Sequence, residues 1–318
     1  MEHAAAVAAT AQTIGPANPF YRYADYLRLR YGKKTYRVSV DAGFTCPVRE
    51  TGKPCTYCDV RGSRAPYLGD TADLKEQISS GLRFLSSRYR AERFLLYFQA
   101  FSNTYAPVAE LRRVYDLGLE QGPFEGLIVS TRPDCLDRER AELLAGYREQ
   151  GLDVWVELGL QSSNDRTLKR IQRGHTAAQF ARAATICKDH GILTAAHVML
   201  GLPGESERDA VQTSVFLDKV GIDAVKFHNL VIVEGTQLYR EYLEGRATAP
   251  EAKTYLGLLI SALERLPRHV VVMRLTCDPP SDAITIPGEM PEKFSFVQQL
   301  AKTMMARETW QGRTLDTR

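Results

Sequence analysis

The sequence predicts an α/β fold on a parallel sheet, either an incomplete barrel or an open doubly wound sheet. Three observations carry this. Short β-rich runs alternate six times with longer stretches of helical spacing, the pattern of βα units joined by right-handed crossovers. Runs such as VWVELGL (154–160) are continuous rather than alternating, which suits strands covered on both faces. The chain has 318 residues, 44% of them hydrophobic and 25% charged, ordinary values for one large globular domain or two small ones.

The elements follow in order. Residues 1–19 are Ala-rich, with one acid and no Lys or Arg. They lack the basic start and compact apolar run of a secretory signal, so a disordered tail and a cytoplasmic protein are expected. Residues 20–37 hold six Lys or Arg, six aromatics and one acid. Such a surface suits nucleic acid, but the helical spacing of Tyr23, Tyr26 and Leu27 favours a helix packed on the barrel. Strands are expected at Tyr36–Val40, Arg93–Phe98, Gly126–Thr131, Asp153–Leu160, Ile192–Leu200 and Ala224–Val231. Leu74, Ile78, Leu82 and Leu85 make one helical stripe, and Leu136, Leu143, Leu144 and Tyr147 a weaker one. After Val231 the pattern changes to a helix near Ala252–Leu266, a strand near Val270–Leu275, a turn at Asp278, Pro279 and Pro280, and a last helix near Pro291–Arg307. The expected division is a tail (1–19), a core barrel (20–235) and a C-terminal extension covering it (236–318). No run of 18 apolar residues predicts a membrane span. The net charge of +3 is too small to imply nucleic-acid binding by itself.

Six cysteines (46, 55, 58, 135, 187 and 277) are present. In an intracellular chain of this size a clustered set points to metal or catalysis rather than disulfides. Cys46, Cys55 and Cys58 share the loop after the first strand, with eight and then two residues between them. Thiolates are the usual ligands of iron–sulfur clusters, and three of them leave one iron of a four-iron cluster open. Structural zinc needs four ligands and would have to recruit Asp59 or a distant cysteine. A CxxC redox pair needs a thioredoxin-like context that the third cysteine does not suit. Cys135, Cys187 and Cys277 read as structural cysteines.

The strings RYGKKTYRVSVDAGFTCP, YFQAFSNTYAP, STRPDCL, VWVELGLQ, QRGH, AHVMLGLPGE, RLTCDPP and TWQG occur in this order. With them the sequence resembles the radical S-adenosylmethionine (SAM) superfamily. Within it the sequence is similar to the bacterial YhcC/YtqA-type proteins, themselves similar to the radical SAM domain of the Elongator catalytic subunit. The resemblance spans about Tyr21 to Gly312. It implies a partial (β/α)6 TIM-like barrel, a [4Fe–4S] cluster on Cys46, Cys55 and Cys58, and SAM on the open iron. It also implies reductive cleavage of SAM, a 5′-deoxyadenosyl radical that abstracts a hydrogen atom, and a reductase or flavodoxin-type electron donor. The first cysteine gap is eight residues where the superfamily commonly has three, and longer gaps occur in this branch. Acetyl transfer is not implied, because the chain has no room for the Elongator acetyltransferase domain. A tRNA substrate, modified at the wobble uridine, is suggested by analogy. The rival reading is a non-catalytic iron–sulfur or zinc RNA-binding protein.

The resemblance also assigns residues. Tyr57 would lie beside adenine or face solvent, and Gln99 would be near the methionine amino group, with Asn103 and Tyr105 toward substrate. Ser130 stands where relatives carry a ribose-binding acid. Arg132 and Asp134 read as a structural pair. Glu157, on an otherwise apolar strand, must be paired or bound, with Arg132 or Lys226 as partner or a ligand group instead. Gln161, Arg173 and His197 match SAM-contacting positions, Arg173 as a forked carboxylate clamp. Gly201, Leu202 and Pro203 turn the chain beside adenine, with glycine allowing close approach. Arg274 and Asp278 are candidates for substrate contact.

Overall fold

The computed structural model describes residues 13–59, 71, 73–277 and 283–315. Helix α1 (Tyr23–Tyr31) precedes β1 (Thr35–Val40), the one-turn α2 (Pro47–Glu50), α3 (Leu74–Tyr89), β2 (Arg93–Phe98), α4 (Val108–Leu119) and β3 (Phe124–Thr131). Then come α5 (Arg138–Glu149), β4 (Asp153–Gln161), α6 (Asp165–Arg170), α7 (Ala177–Asp189), β5 (Leu193–Leu200), α8 (Glu207–Val220) and β6 (Ala224–Asn229). The chain ends with β7 (Ile232–Val233), α9 (Gln237–Leu243), α10 (Ala252–Glu264), β8 (Val271–Arg274), β9 (Thr285–Ile286) and α11 (Lys293–Ala306).

The six expected strands are present, to within a few residues at their ends. A seventh joins them: the sheet order is β1-β2-β3-β4-β5-β6-β8, and each neighbouring pair is parallel. The sheet curls into a half-barrel. The segment after 235, expected as a cover, therefore supplies a strand of the barrel itself. Its turn at Asp278, Pro279 and Pro280 lies outside the described residues, as do residues 1–12 of the expected tail. The rest of that tail is folded: Ile14 is buried, and Gly15 and Asn18 bridge each other.

Alternation along each strand sorts side chains to two faces. Val38, Leu96, Phe98, Leu127, Val129, Val156, Ala196, Val198 and Phe227 face outward into one cluster with the helices. Leu95, Tyr97, Ile128, Trp155, Ala195, Ala224 and Val271 face inward into a second cluster with Ile14, Tyr21, Tyr26 and Leu27. Helix α1 thus plugs the barrel floor, and Tyr26 meets Trp155 edge-on at 5.7 Å. The basic aromatic segment packs as its spacing predicts. Arg30 forks onto Asp153 at 2.9 and 2.8 Å, and Arg37 turns into the barrel. The C-terminal TWQG string also serves the floor. Buried Gln311 accepts from Tyr21 N at 3.0 Å and donates to the carbonyls of Pro267 and Val270 at 2.7 and 2.8 Å. With the floor closed, the strand C-termini form the open end, where the loops of parallel α/β folds carry function.

Candidate functional site

The loop after β1 brings three thiols to the barrel mouth. Cys46 and Cys55 are buried and Cys58 is half-buried, and all three are free thiols. The Cys58 amide donates to the Cys55 carbonyl at 2.9 Å, a tight turn that sets the pair. The loop is stitched to both halves of the chain: Thr56 N donates to Ile171 O at 3.1 Å, and Leu238 N to Thr56 O at 2.8 Å.

Each thiol faces a donor. Ser102 Oγ lies 3.2 Å from Cys46 Sγ. Arg173 Nη1 and Arg132 Nη1 point at Cys55 Sγ from 3.6 and 4.0 Å. Arg49 Nη1 is 3.3 Å from Cys58 Sγ. Burial pushes the Cys46 and Cys58 thiols up, while the Ser102 bond at Cys46 and the Arg49 charge at Cys58 oppose it. Donors and positive charge around sulfur favour thiolates, so the residues present fit an anionic iron–sulfur cluster. Among the described residues no three His, Cys, Asp or Glu side chains converge on one metal ion. A tetrahedral zinc would need its sulfurs about 4 Å apart, given a Zn–S distance near 2.3 Å, whereas a cubane spreads its thiolates over separate irons.

Arg173 is buried. Its Nη2 donates to Gly159 O at 2.8 Å, and its Nε lies 3.0 Å from His175 Nε2. It therefore ties the end of β4 to the cysteine loop. Burial, with Arg173 and Arg132 beside it, lowers His175 to about 3 and keeps its ring neutral. Arg132 and Asp134 form the expected pair at 3.0 and 2.9 Å, and Arg132 also donates to Arg173 O at 2.6 Å. Gly174, at φ 78, lets the turn approach the loop: a Cβ there would sit 2.8 Å from Val48.

Other expected site residues reach the same end of the barrel. Gln99 follows β2, and its amide donates to Val40 O at 3.2 Å. Ser130 is buried on β3, and its carbonyl accepts from Asn103 N at 3.1 Å and Asn103 Nδ2 at 3.0 Å. Asn103 is thereby fixed as a brace, and Tyr105 donates to Glu50 at 2.7 Å. Gln161 ends β4 in a left-handed conformation, φ 73, where the β4–β5 register shifts. Tyr57 does not face solvent. It packs beside Leu168, Leu202 and Leu230, and its buried hydroxyl has no partner among the described residues.

Leu202 is buried and Pro203 half-buried. The close approach at Gly201 is to protein: a Cβ there would lie 2.4 Å from the Pro250 ring, at φ 86. Gly201→Ala is expected to cost about 2–4 kcal/mol through left-handed strain plus overpacking, read as a fall in urea-unfolding free energy.

Below the mouth lies a charged tier that sequence reasoning saw only in part. Glu157 is fully buried on β4 and accepts from Arg37 at 3.0 Å, Tyr97 Oη at 2.6 Å, His197 Nε2 at 2.8 Å, and Lys226. Lys226 is the partner expected from the sequence; Arg132 is not. Burial pushes the Glu157 carboxyl up, but Lys226, Arg37 and His197 outweigh it and hold the group well below the usual carboxylate range.

Burial lowers His197 to about 4 against the pull of Glu157, with Lys226 and Arg274 lowering it further. A free histidine titrates near 6.5, so the unfolded chain takes this proton first. Stability is then lost as pH falls from about 6.5 to 4. Urea unfolding across that window is expected to show the loss, and His197→Gln to make it shallower.

Arg49, Ser102, Arg37, Tyr97, His175 and His228 were not singled out from the sequence. The one signal for Arg37 was a charge on an inward strand position. Ser102 and Arg49 reach the thiols only through folding.

A parallel half-barrel closed at its floor, with three donor-flanked thiols in one loop at its mouth, defines a class of protein built to hold an iron–sulfur cofactor over a barrel cavity. The chain belongs to the radical SAM superfamily, whose family model matches residues 43–217, followed by a Radical_SAM C-terminal domain at 222–306. Its cofactors are a [4Fe–4S] cluster and S-adenosylmethionine. Protein YhcC of Escherichia coli K12 is 35% identical over 253 residues, 79% of this chain and 81% of YhcC. A tRNA uridine(34) acetyltransferase of Dehalococcoides mccartyi is 32% identical over 159 residues, 49% of this chain and 34% of that enzyme. The solved structure of the archaeal Methanocaldococcus infernus Elp3 shares the fold, with a TM-score of 0.68 and 19% identity over 86% of this chain and 63% of that one. Among the described residues no helix is long and apolar enough to cross a membrane.

Proposed function

We propose that this chain is a radical SAM enzyme acting on a tRNA base, the wobble uridine first among candidates. The observation that carries the chemistry is the set of three thiols at the barrel mouth, each facing a hydrogen-bond donor or a guanidinium. With both cofactors bound, the site would supply one-electron cleavage of SAM and hydrogen-atom abstraction from the substrate.

The chain's own residues set the conditions. Cys46, Cys55 and Cys58 would anchor the cluster. Arg49, Arg132 and Arg173 offset its negative charge, and Ser102 orients one thiol. Gln161, Gln99 and Ser130 stand at the strand ends where SAM would lie, with Arg173 reaching the end of β4 from the turn after α6, and Tyr57 and the Gly201–Pro203 turn on the adenine side. The inward face of the half-barrel shields reactive species from water. The tRNA part rests on the partial similarity to the tRNA uridine(34) acetyltransferase. Residues 20–37 do not carry it, since α1 buries Tyr26 and Leu27 and ties Arg30 to Asp153, and Arg37 on β1 is bound to Glu157. Electrons would come from a reductase or flavodoxin-type donor.

The test is anaerobic reconstitution with SAM and dithionite, followed by chromatography. Formation of 5′-deoxyadenosine and methionine is expected. A full iron load with no SAM cleavage would instead mark a non-catalytic iron–sulfur protein. Nucleoside profiles of tRNA from a deletion strain are expected to change, and an unaltered profile rejects the tRNA substrate.

A further inference from the structure

Among the described residues the barrel interior holds more cations than anions. Arg37 from β1, Lys226 from β6 and Arg274 from β8 share it with one carboxylate, Glu157. Glu157 already accepts four hydrogen bonds, which exhausts its lone-pair sites. Arg37 and Lys226 are bound to it. Arg274 is not: it lies in register beside Lys226 and makes no hydrogen bond or ion pair among the described residues. Burial and the nearby guanidiniums draw the Lys226 ammonium down while Glu157 holds it up. Even with Lys226 neutral, two guanidiniums face one carboxylate.

His228 lies two residues beyond Lys226, on the same face of β6. Its ring is 5.3 Å from that of His197, and its Nε2 is buried with no partner among the described residues. Burial, then Arg274, His197 and Lys226, keep it neutral at physiological pH. A neutral imidazole offers one donor and one acceptor nitrogen, and Nε2 meets neither kind of partner among the described residues.

An unpaired charge drawn partly out of water and an idle buried ring nitrogen are both costly. SAM does not balance them, because its sulfonium and ammonium outnumber its single carboxylate. Arg49, on the cysteine loop, and Arg132 and Arg173, which point at it, have acceptors of their own.

We propose that Arg274 and His228 form a binding site for an oxyanion of the substrate, a carboxylate or a phosphate, on the inner wall of β6 and β8. The site rests on the reading that substrate enters the barrel mouth and names the chemistry it must bring there.

Thermal unfolding of the reconstituted full-length protein, at fixed ionic strength, is followed against acetate, inorganic phosphate and, as a cationic control, choline. A saturable rise of the midpoint with acetate or phosphate is expected, and the more effective of the two identifies the group. Arg274→Gln and His228→Gln are each expected to need at least tenfold more anion, with Arg274→Lys partly restoring the response. Arg208→Gln, on the exposed face of α8, should behave as the unaltered chain. Saturation by neither anion overturns the proposal, as does an unaltered response in both variants. Should Arg274→Gln not fold, His228→Gln decides alone. The 5′-deoxyadenosine assay runs in parallel. Its failure with anion binding intact would defeat the radical reading and leave this site standing.

Discussion

Cys55→Ala is expected to abolish the visible absorption of the reconstituted protein, reduce iron to background and stop 5′-deoxyadenosine formation. Cys187→Ala should leave all three nearly unchanged. The contrast follows from where the two sulfurs lie. Cys55 is at the barrel mouth, one turn from Cys58, with Arg173 and Arg132 aimed at it from 3.6 and 4.0 Å. Its loss leaves two anchors for a cluster that needs three, and two guanidiniums without their thiolate. Cys187 is fully buried on α7 in the apolar layer between helices and sheet. Burial pushes its thiol up to about 12, so it packs as a small neutral hydrophobe. Iron analysis and absorption spectra of anaerobically purified variants check this. Equal losses in both would show that the cluster lies elsewhere.

Glu157→Gln is expected to lower the unfolding free energy by about 3–5 kcal/mol, the usual cost of breaking a buried ion pair from one side. The amide cannot accept from Arg37, Tyr97, His197 and Lys226 together. It also leaves Lys226 and Arg37 as buried like charges with no counter-ion. Lys226→Met should be costly by itself. The double variant Glu157→Gln/Lys226→Met should lose clearly less than the two single losses added, because the second change removes one of the stranded charges. Urea titrations of the four proteins measure this, and strict additivity would mean that the tier does not act as a unit.

Local pattern made much of this molecule legible. The strand of 154–160 could be read because burial on both faces of a parallel sheet leaves a continuous apolar run. The helix at 23–31 could be read because Tyr23, Tyr26 and Leu27 recur at helical spacing. The seventh strand was located near Val270–Leu275, yet its place in the barrel was not. Partner choice for a short edge strand depends on what lies beside β6, and no periodicity encodes that. At Gly201 the sequence shows the need for glycine but not that the Pro250 ring, 49 residues further on, packs against its Cα.

The spacing of Cys46, Cys55 and Cys58 by itself placed three sulfurs in one loop after the first strand, and strand–helix alternation placed that loop at one end of a parallel sheet. Both are properties of short stretches of chain, where covalent distance limits what can meet. Only the tertiary structure decided which charges share the interior. Arg37, Tyr97, His197 and Lys226 meet Glu157 from four other strands and lie 40 to 120 residues from it in the chain. Their meeting is fixed by register between strands, which the packing of the outward apolar faces sets. The same packing gave Arg173 its place beside Cys55, 118 residues away.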